Sequence, residues 1–180
     1  MMKIALEYLA EQPAIASQIH FEICDVTVAE FEAESFDAVY SRDTFIHLEK
    51  KEALFRQFFK WLKPGGRILF TDYCRGNDEP SKEFKTYVTS RKYHLLTVSG
   101  YEKLLQRVGF VKVKAEDKTQ DFRASLQKEL KKLQDGKAEF LNEFCQQDYD
   151  DLNQGWNAKI RWVDNGDQKW GLCYAEKPMQ

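Results

Sequence analysis

Several things are missing from this sequence, and each absence excludes something. No Cys-x-x-Cys pair and no Cys/His cluster occurs; the four cysteines (Cys24, Cys74, Cys145, Cys173) are widely scattered. A structural zinc site is therefore not expected, and no other metal site is assigned. No excess of one charge exists: 27 Lys+Arg face 29 Asp+Glu, a formal net charge of -2. That balance provides no basic field for non-specific nucleic-acid binding. No apolar run approaches the roughly 18 residues of a membrane span. The opening MMKIALEYLAEQP reads as an amphipathic helix with acidic residues rather than a secretory leader. Without such a leader, reduced thiols and a cytoplasmic setting are the expectation. What is present suits one globular domain: 180 residues, 43% hydrophobic and 31% charged.

The order of elements carries more information than the totals. Residues 2–11 follow a helical period that Pro13 ends. Residues 20–24 (HFEIC) and 36–40 (FDAVY) read as strands. Residues 50–62 have a helical period with a rich apolar face. Lys63-Pro64-Gly65-Gly66 is a stop and turn, and 67–71 (RILFT) is a third strand. Helices are expected at 80–92 and 98–108, the second capped by Thr97 or Ser99 and ended by Gly109. Residues 110–115 (FVKVKA) alternate as a strand. Leu126, Leu130, Leu133, Phe140, Leu141 and Phe144 have helical spacing over 123–146, interrupted at Gly136. A helix over 149–162 and a last strand over 170–175 (WGLCYA) complete the chain. Strands alternating with helices predict an α/β domain with a mostly parallel sheet.

In such sheets ligands sit beyond the carboxyl ends of the strands. Asp25, Asp43 and Asp72 stand at or just past predicted strand ends. Each alone is as readily a helix cap as a ligand contact; a shared rim favours a ligand. His47 follows Asp43 by four residues, so a helical turn would put both on one face, a carboxylate beside a general base. The plainer alternative is a surface pair without a role. EFKTYVTSRKY (83–93) gathers Tyr87, Arg91 and Tyr93, with Tyr87 and Arg91 four apart. A guanidinium fork and phenol hydroxyls suit a phosphate, and Tyr73 is placed to join them. The alternative is an amphipathic helix whose aromatics pack under a loop. Lys159 has no distinction of its own.

The segments DVT (25–27), FDAVYSRDTFIHL (36–48), FKWLKPGGRILFTDYC (59–74), FKTYVTSRKYHLLTV (84–98), GYEKLLQRVGF (100–110) and GWNAKIRW (155–162) resemble phosphoethanolamine N-methyltransferases. The LKPGG turn is general to class I S-adenosylmethionine-dependent methyltransferases; the other segments are more specific. The resemblance implies S-adenosylmethionine as cofactor and a phosphobase substrate, methylated in rounds towards phosphocholine. It implies that Asp25 and Val26 contact the adenine and that Arg42 and Asp43 lie near the methionine part and the substrate amine. It implies His47 as the base that deprotonates the amine. Tyr73, Tyr87, Arg91, Tyr93 and Lys159 match the substrate pocket, mostly around the phosphate.

The chain departs from that family's pattern in one respect. The strand–GxGxG–helix–strand segment that cradles the methionine end is absent, and the N-terminal lid with it. About five of the seven strands of the fold are expected, in a single partial domain over 1–180. That would leave an apolar sheet edge open, so the chain is expected as a monomer or associated through that edge. The alternatives are an inactive truncated isoform acting as an interaction module, or a class I methyltransferase for another small molecule. Calorimetry on the 180-residue chain is expected to show S-adenosylmethionine binding weaker than micromolar; micromolar affinity overturns that expectation.

Overall fold

The computed structural model describes residues 2–179. It divides into two compact units, one ending at Phe31 and the other beginning at Glu32.

The first unit contains α1 (Met2–Ala10), α2 (Pro13–Ala16) and a turn following Asp25. Proline at the first position of α2 suits a residue without an N–H, so Pro13 opens a short helix as well as closing the pattern before it. Residues 20–24 do not form the expected strand: they are irregular and exposed, with Ile23 at 83%. Their β-branched and aromatic composition favours extension, but no hydrogen-bonded neighbour exists among the described residues. A lone strand leaves its backbone groups to water.

The second unit is a four-stranded sheet flanked by helices. Its elements are β1 (Phe36–Arg42), α3 (Lys51–Trp61), β2 (Leu62–Arg75), α4 (Lys82–Ser90), α5 (Val98–Val108), β3 (Val111–Asp117), α6 (Thr119–Asp135), α7 (Lys137–Glu143), α8 (Gln146–Asp164) and β4 (Gln168–Glu176). A 3-10 turn, Phe45–His47, follows β1. The strand order is β1-β2-β4-β3. The α/β class holds. The strand count is corrected to four, and the mostly parallel sheet to a mixed one: β1–β2 is parallel, whereas β4 runs antiparallel to β2 and β3. Alternation of strands and helices fixes the layers, but not the direction in which the last strand inserts.

Local chemistry explains the boundaries. Ser81 Oγ accepts from Phe84 N (3.2 Å) and Thr97 Oγ1 from Gly100 N (2.9 Å), capping α4 and α5. Such caps contribute about 1 kcal/mol each. Gly109 ends α5 at φ 114, open to glycine without strain. The Lys63–Gly66 stretch is a bulge inside β2 rather than a turn before it: Phe36 pairs with Leu62, but Ala38 pairs with Arg67.

The pleat of β2 sends Ile68, Phe70, Asp72 and Cys74 into the core, all 0–1% exposed. There Phe70 meets Phe45 (5.1 Å between centroids), Phe55 (5.4 Å) and Tyr101 (5.1 Å), joining the 3-10 turn, α3 and α5 to the sheet. Phe55→Ala is expected to cost on the order of 3–5 kcal/mol at such a site. On the other face Tyr73 and Trp170 pack against Phe122, Leu126 and Val163 of α6 and α8.

Asp72 is the one acid in that core. Its Oδ1 accepts from Ile46 N (3.3 Å) and its Oδ2 from the Tyr101 hydroxyl. Burial lifts its carboxyl to about 7, although the Tyr101 hydrogen bond and the Lys51 charge pull the other way. An unfolded aspartate titrates near 3.9, so between about 4 and about 7 the folded state holds the extra proton and stability falls as pH rises. Asp72→Asn preserves one acceptor and one donor and removes this dependence. Denaturant titrations near pH 5 and pH 8 are expected to show the variant gaining on the parent at the higher pH. A difference independent of pH, or of opposite sign, contradicts the assignment.

Candidate active site

The site begins where β1 ends. Asp43 adopts φ 52, a left-handed conformation that aspartate tolerates better than most residues. Its N–H donates to Thr71 O (2.8 Å). Its carboxylate Oδ1 accepts from Thr71 Oγ1 (2.9 Å) and from the Trp170 indole N–H (2.8 Å). Oδ2 faces the Arg42 guanidinium, 4.0 Å away and largely exposed. The carboxylate is thus anchored through one oxygen and offers the other.

His47 follows on the 3-10 turn. Phe45 and Ile46 are buried and His47 is exposed, so the turn presents the imidazole from an apolar base. The expected Asp43–His47 pairing is not what holds the ring: no hydrogen bond joins them among the described residues. His47 instead lies edge-on to Tyr93, with centroids 5.2 Å apart at 75°.

Tyr93 leads into the stretch singled out by its composition. The Tyr87 and Tyr93 rings meet edge-on, with centroids 5.7 Å apart. Arg91, at the end of α4, lies 6.0 Å from the centre of the Tyr87 ring, as the four-residue spacing requires. Trp162 of α8 also packs against Tyr87, with ring centroids 4.5 Å apart and a tilt of 33°. One turn earlier on α8, Lys159 Nζ sits 5.6 Å from the centre of the Tyr73 ring.

The electrostatics of this group are unbalanced. Burial, and then repulsion from Arg91, hold Lys159 below its ordinary lysine range; Asp43 opposes them. Neither Lys159 nor Arg91 forms an ion pair with a carboxylate among the described residues. Burial, followed by the nearby Asp43 charge, pushes the Tyr73 phenol up to about 12. Burial and then Tyr93 likewise raise Tyr87. These phenols remain hydrogen-bond donors at neutral pH. Cations set beside phenols can bind an anion, and an anchored carboxylate can receive a cation.

Asp43, His47, Tyr73, Tyr87, Arg91, Tyr93 and Lys159 thus form one connected set, with Arg42 at its rim. Asp25 and Val26 lie in the first unit. There Asp25 Oδ1 accepts from Thr27 N (2.9 Å) and Thr27 Oγ1 (2.7 Å), which holds its carboxyl below the usual range. An adenine amino group is a hydrogen-bond donor, from which a carboxylate of the Asp25 type can accept. The glycine loop for the methionine end has no counterpart, because the first glycine of the chain is Gly65. Asp72, grouped by sequence with the rim acids, is instead buried inside β2, because the strand runs on to Arg75. Sequence reasoning missed Thr71, Trp162, Trp170 and Lys51. For Asp72 a signal existed: an acid in an inward series Ile68, Phe70, Asp72, Cys74. Trp170 offered none, since its partner is 127 residues away.

The methyltransferase-domain family matches residues 4–115. Phosphoethanolamine N-methyltransferase 1 of Zea mays is 47% identical over 159 residues, covering 88% of this chain and 32% of the relative. The Plasmodium falciparum phosphoethanolamine N-methyltransferase is 40% identical, covering 89% of this chain and 62% of the relative. Among solved structures, the Haemonchus contortus phosphoethanolamine N-methyltransferase 2 in complex with phosphomonomethylethanolamine and S-adenosylhomocysteine superposes with a TM-score of 0.84 at 35% identity. That match covers 86% of this chain and 36% of the other. The chain spans about a third of the length of several curated relatives, 32–36%.

Inorganic phosphate is expected to bind the chain at the cation pair, read by calorimetry. Arg91→Met should weaken it roughly tenfold or more, the scale of a lost charge-assisted hydrogen bond. Equal affinity in parent and variant removes Arg91 from the anion site.

Proposed function

The chain belongs to the methyltransferase-domain family, and from that premise we propose that it supplies the substrate-binding half of an enzyme that N-methylates phosphoethanolamine and its methylated intermediates. One observation carries the reading. Arg91 and Lys159 repel each other and, among the described residues, neither pairs with a carboxylate; Arg91 lies over Tyr87 and Lys159 over Tyr73, and the Tyr87 ring leads through Tyr93 to His47. A small molecule with a phosphate at one end and an amine at the other matches that order of groups.

The phosphate binds Arg91 and Lys159, and its charge relieves their mutual repulsion. The Tyr73, Tyr87 and Tyr93 hydroxyls donate to its remaining oxygens. The amine then lies towards His47 and the open Oδ2 of Asp43. A primary ammonium has no lone pair, so its proton must leave first; His47 Nδ1 or Nε2 accepts it. The nitrogen becomes cationic again after methylation, and the Asp43 carboxylate favours that charge. When bound, S-adenosylmethionine supplies a methyl group on a sulfonium; in the second unit, Arg42 would stand near its methionine part. Anchoring the phosphate fixes the approach of the nitrogen, which is where most of this chain's contribution lies.

The test is methyl transfer by the native protein. Labelled methyl groups should appear on phosphoethanolamine and not on ethanolamine, and His47→Ala should lower the rate about 10²- to 10⁴-fold, the scale of lost general-base catalysis. Equal labelling of both amines rejects the phosphobase reading.

A further inference from the structure

We propose that Lys51, which lies outside the pocket, is a positioning residue: it fastens the turn carrying His47 to the segment carrying Tyr93. This rests on the reading of the site given above.

Lys51 opens α3 and is 4% exposed. Its ammonium donates to Leu48 O (2.6 Å) and to His94 O (2.5 Å). Leu48 directly follows His47, and His94 directly follows Tyr93. A second tie lies on the other side of the imidazole: His94 N donates to Ile46 O (2.7 Å). The residues on both sides of His47 are therefore bound to the one residue beyond Tyr93, and the 5.2 Å ring contact sits between the two ties. From beneath, Asp72 accepts from Ile46 N, so the turn is held from two directions.

A buried lysine is an expensive way to satisfy two carbonyls. Burial lowers its pKa to about 8, with only partial relief from Asp72. No carboxylate lies within ion-pairing distance among the described residues. An apolar side chain would avoid that desolvation cost. A single nitrogen that reaches both segments does what an apolar residue cannot: it fixes the distance between two backbones that no ladder joins. Its site is the back of the turn, in a groove lined by Glu49, Glu52, Leu96, Leu104 and Arg107, away from the cation pair. The staple therefore governs the geometry of the base and, of the phosphate anchor, holds only the Tyr93 segment; its hydrogen bonds reach neither Arg91 nor Lys159.

Lys51→Met retains the chain length and removes the donors. In the native protein it is expected to lower kcat about 10- to 100-fold, the scale of a misplaced reacting group. KM for phosphoethanolamine should stay within about fivefold, because the two cations are untouched and Tyr93 contributes only a neutral hydrogen bond of about 1 kcal/mol. Arg91→Met, assayed in parallel, should raise KM. If Arg91→Met leaves KM unaltered, the phosphobase reading fails, whatever Lys51 does. If Arg91→Met behaves as expected and a folded Lys51→Met retains full kcat, or raises KM as much as it lowers kcat, the staple is overturned. Should Lys51→Met not fold, Lys51→Arg replaces it. That side chain is longer and planar and cannot place one nitrogen between both carbonyls, so a folded variant with lowered kcat supports the proposal and full kcat overturns it. Loss of fold in both variants assigns Lys51 to the fold alone and also overturns the proposal.

Discussion

The two-residue pleat of β2 is the constraint on which the rest depends. It sends Phe70, Asp72 and Cys74 one way and Thr71 and Tyr73 the other. The first set builds the core and, through Asp72, supports the His47 turn from below. The second set reaches the ligand side, where Thr71 binds Asp43 and Tyr73 lies under Lys159. A slip of one residue in the pairing with β1 or β4 would exchange the two sets and lose core and site together. Register is therefore the property that joins stability to chemistry in this chain.

The site itself has an electrostatic logic that the fold does not satisfy internally. Some surface cations find acids, as Arg123 does with Asp164, Arg161 with Glu83 and Lys63 with Asp37, while exposed Lys60 and Lys92 form no ion pair among the described residues; Lys159 differs from these in being half-buried. Arg161 and Lys159 share α8, two residues apart, and only the former has a carboxylate partner at ion-pairing distance. A ligand anion completes what the polypeptide leaves open. The opposite end is built in the reverse sense, with Asp43 secured by two donors on one oxygen. The proposed site thus has a cationic end and an anionic end, the reverse of the charges on an aminoalkyl phosphate.

Much of this was legible in the sequence wherever a local rule suffices. Periodicity located α3, α5 and the broken α6–α7 pair, and Thr97 and Gly109 marked the ends of α5. The spacing of Tyr87 and Arg91 placed them together because one helix carries both. Long-range pairing was not legible. The extended composition of 20–24 says nothing about whether a neighbour is there to bond it, and β4 could have entered the sheet in either direction. Asp72 was misplaced because strand ends were read from apolar content, and β2 continues through an acid that Tyr101 satisfies. Lys159, His47 and Asp43 stood out through family resemblance rather than pattern, since each alone is an ordinary surface residue. Lys51 was hidden in an amphipathic helix start, where a lysine is normally solvated.

The packing of Trp162 against Tyr87 has a practical side. An indole lying against a ring of the proposed anion site responds to a change in its surroundings with altered ultraviolet emission. The protein therefore carries a built-in optical probe at its ligand end, so occupancy can be followed in real time without attaching a dye.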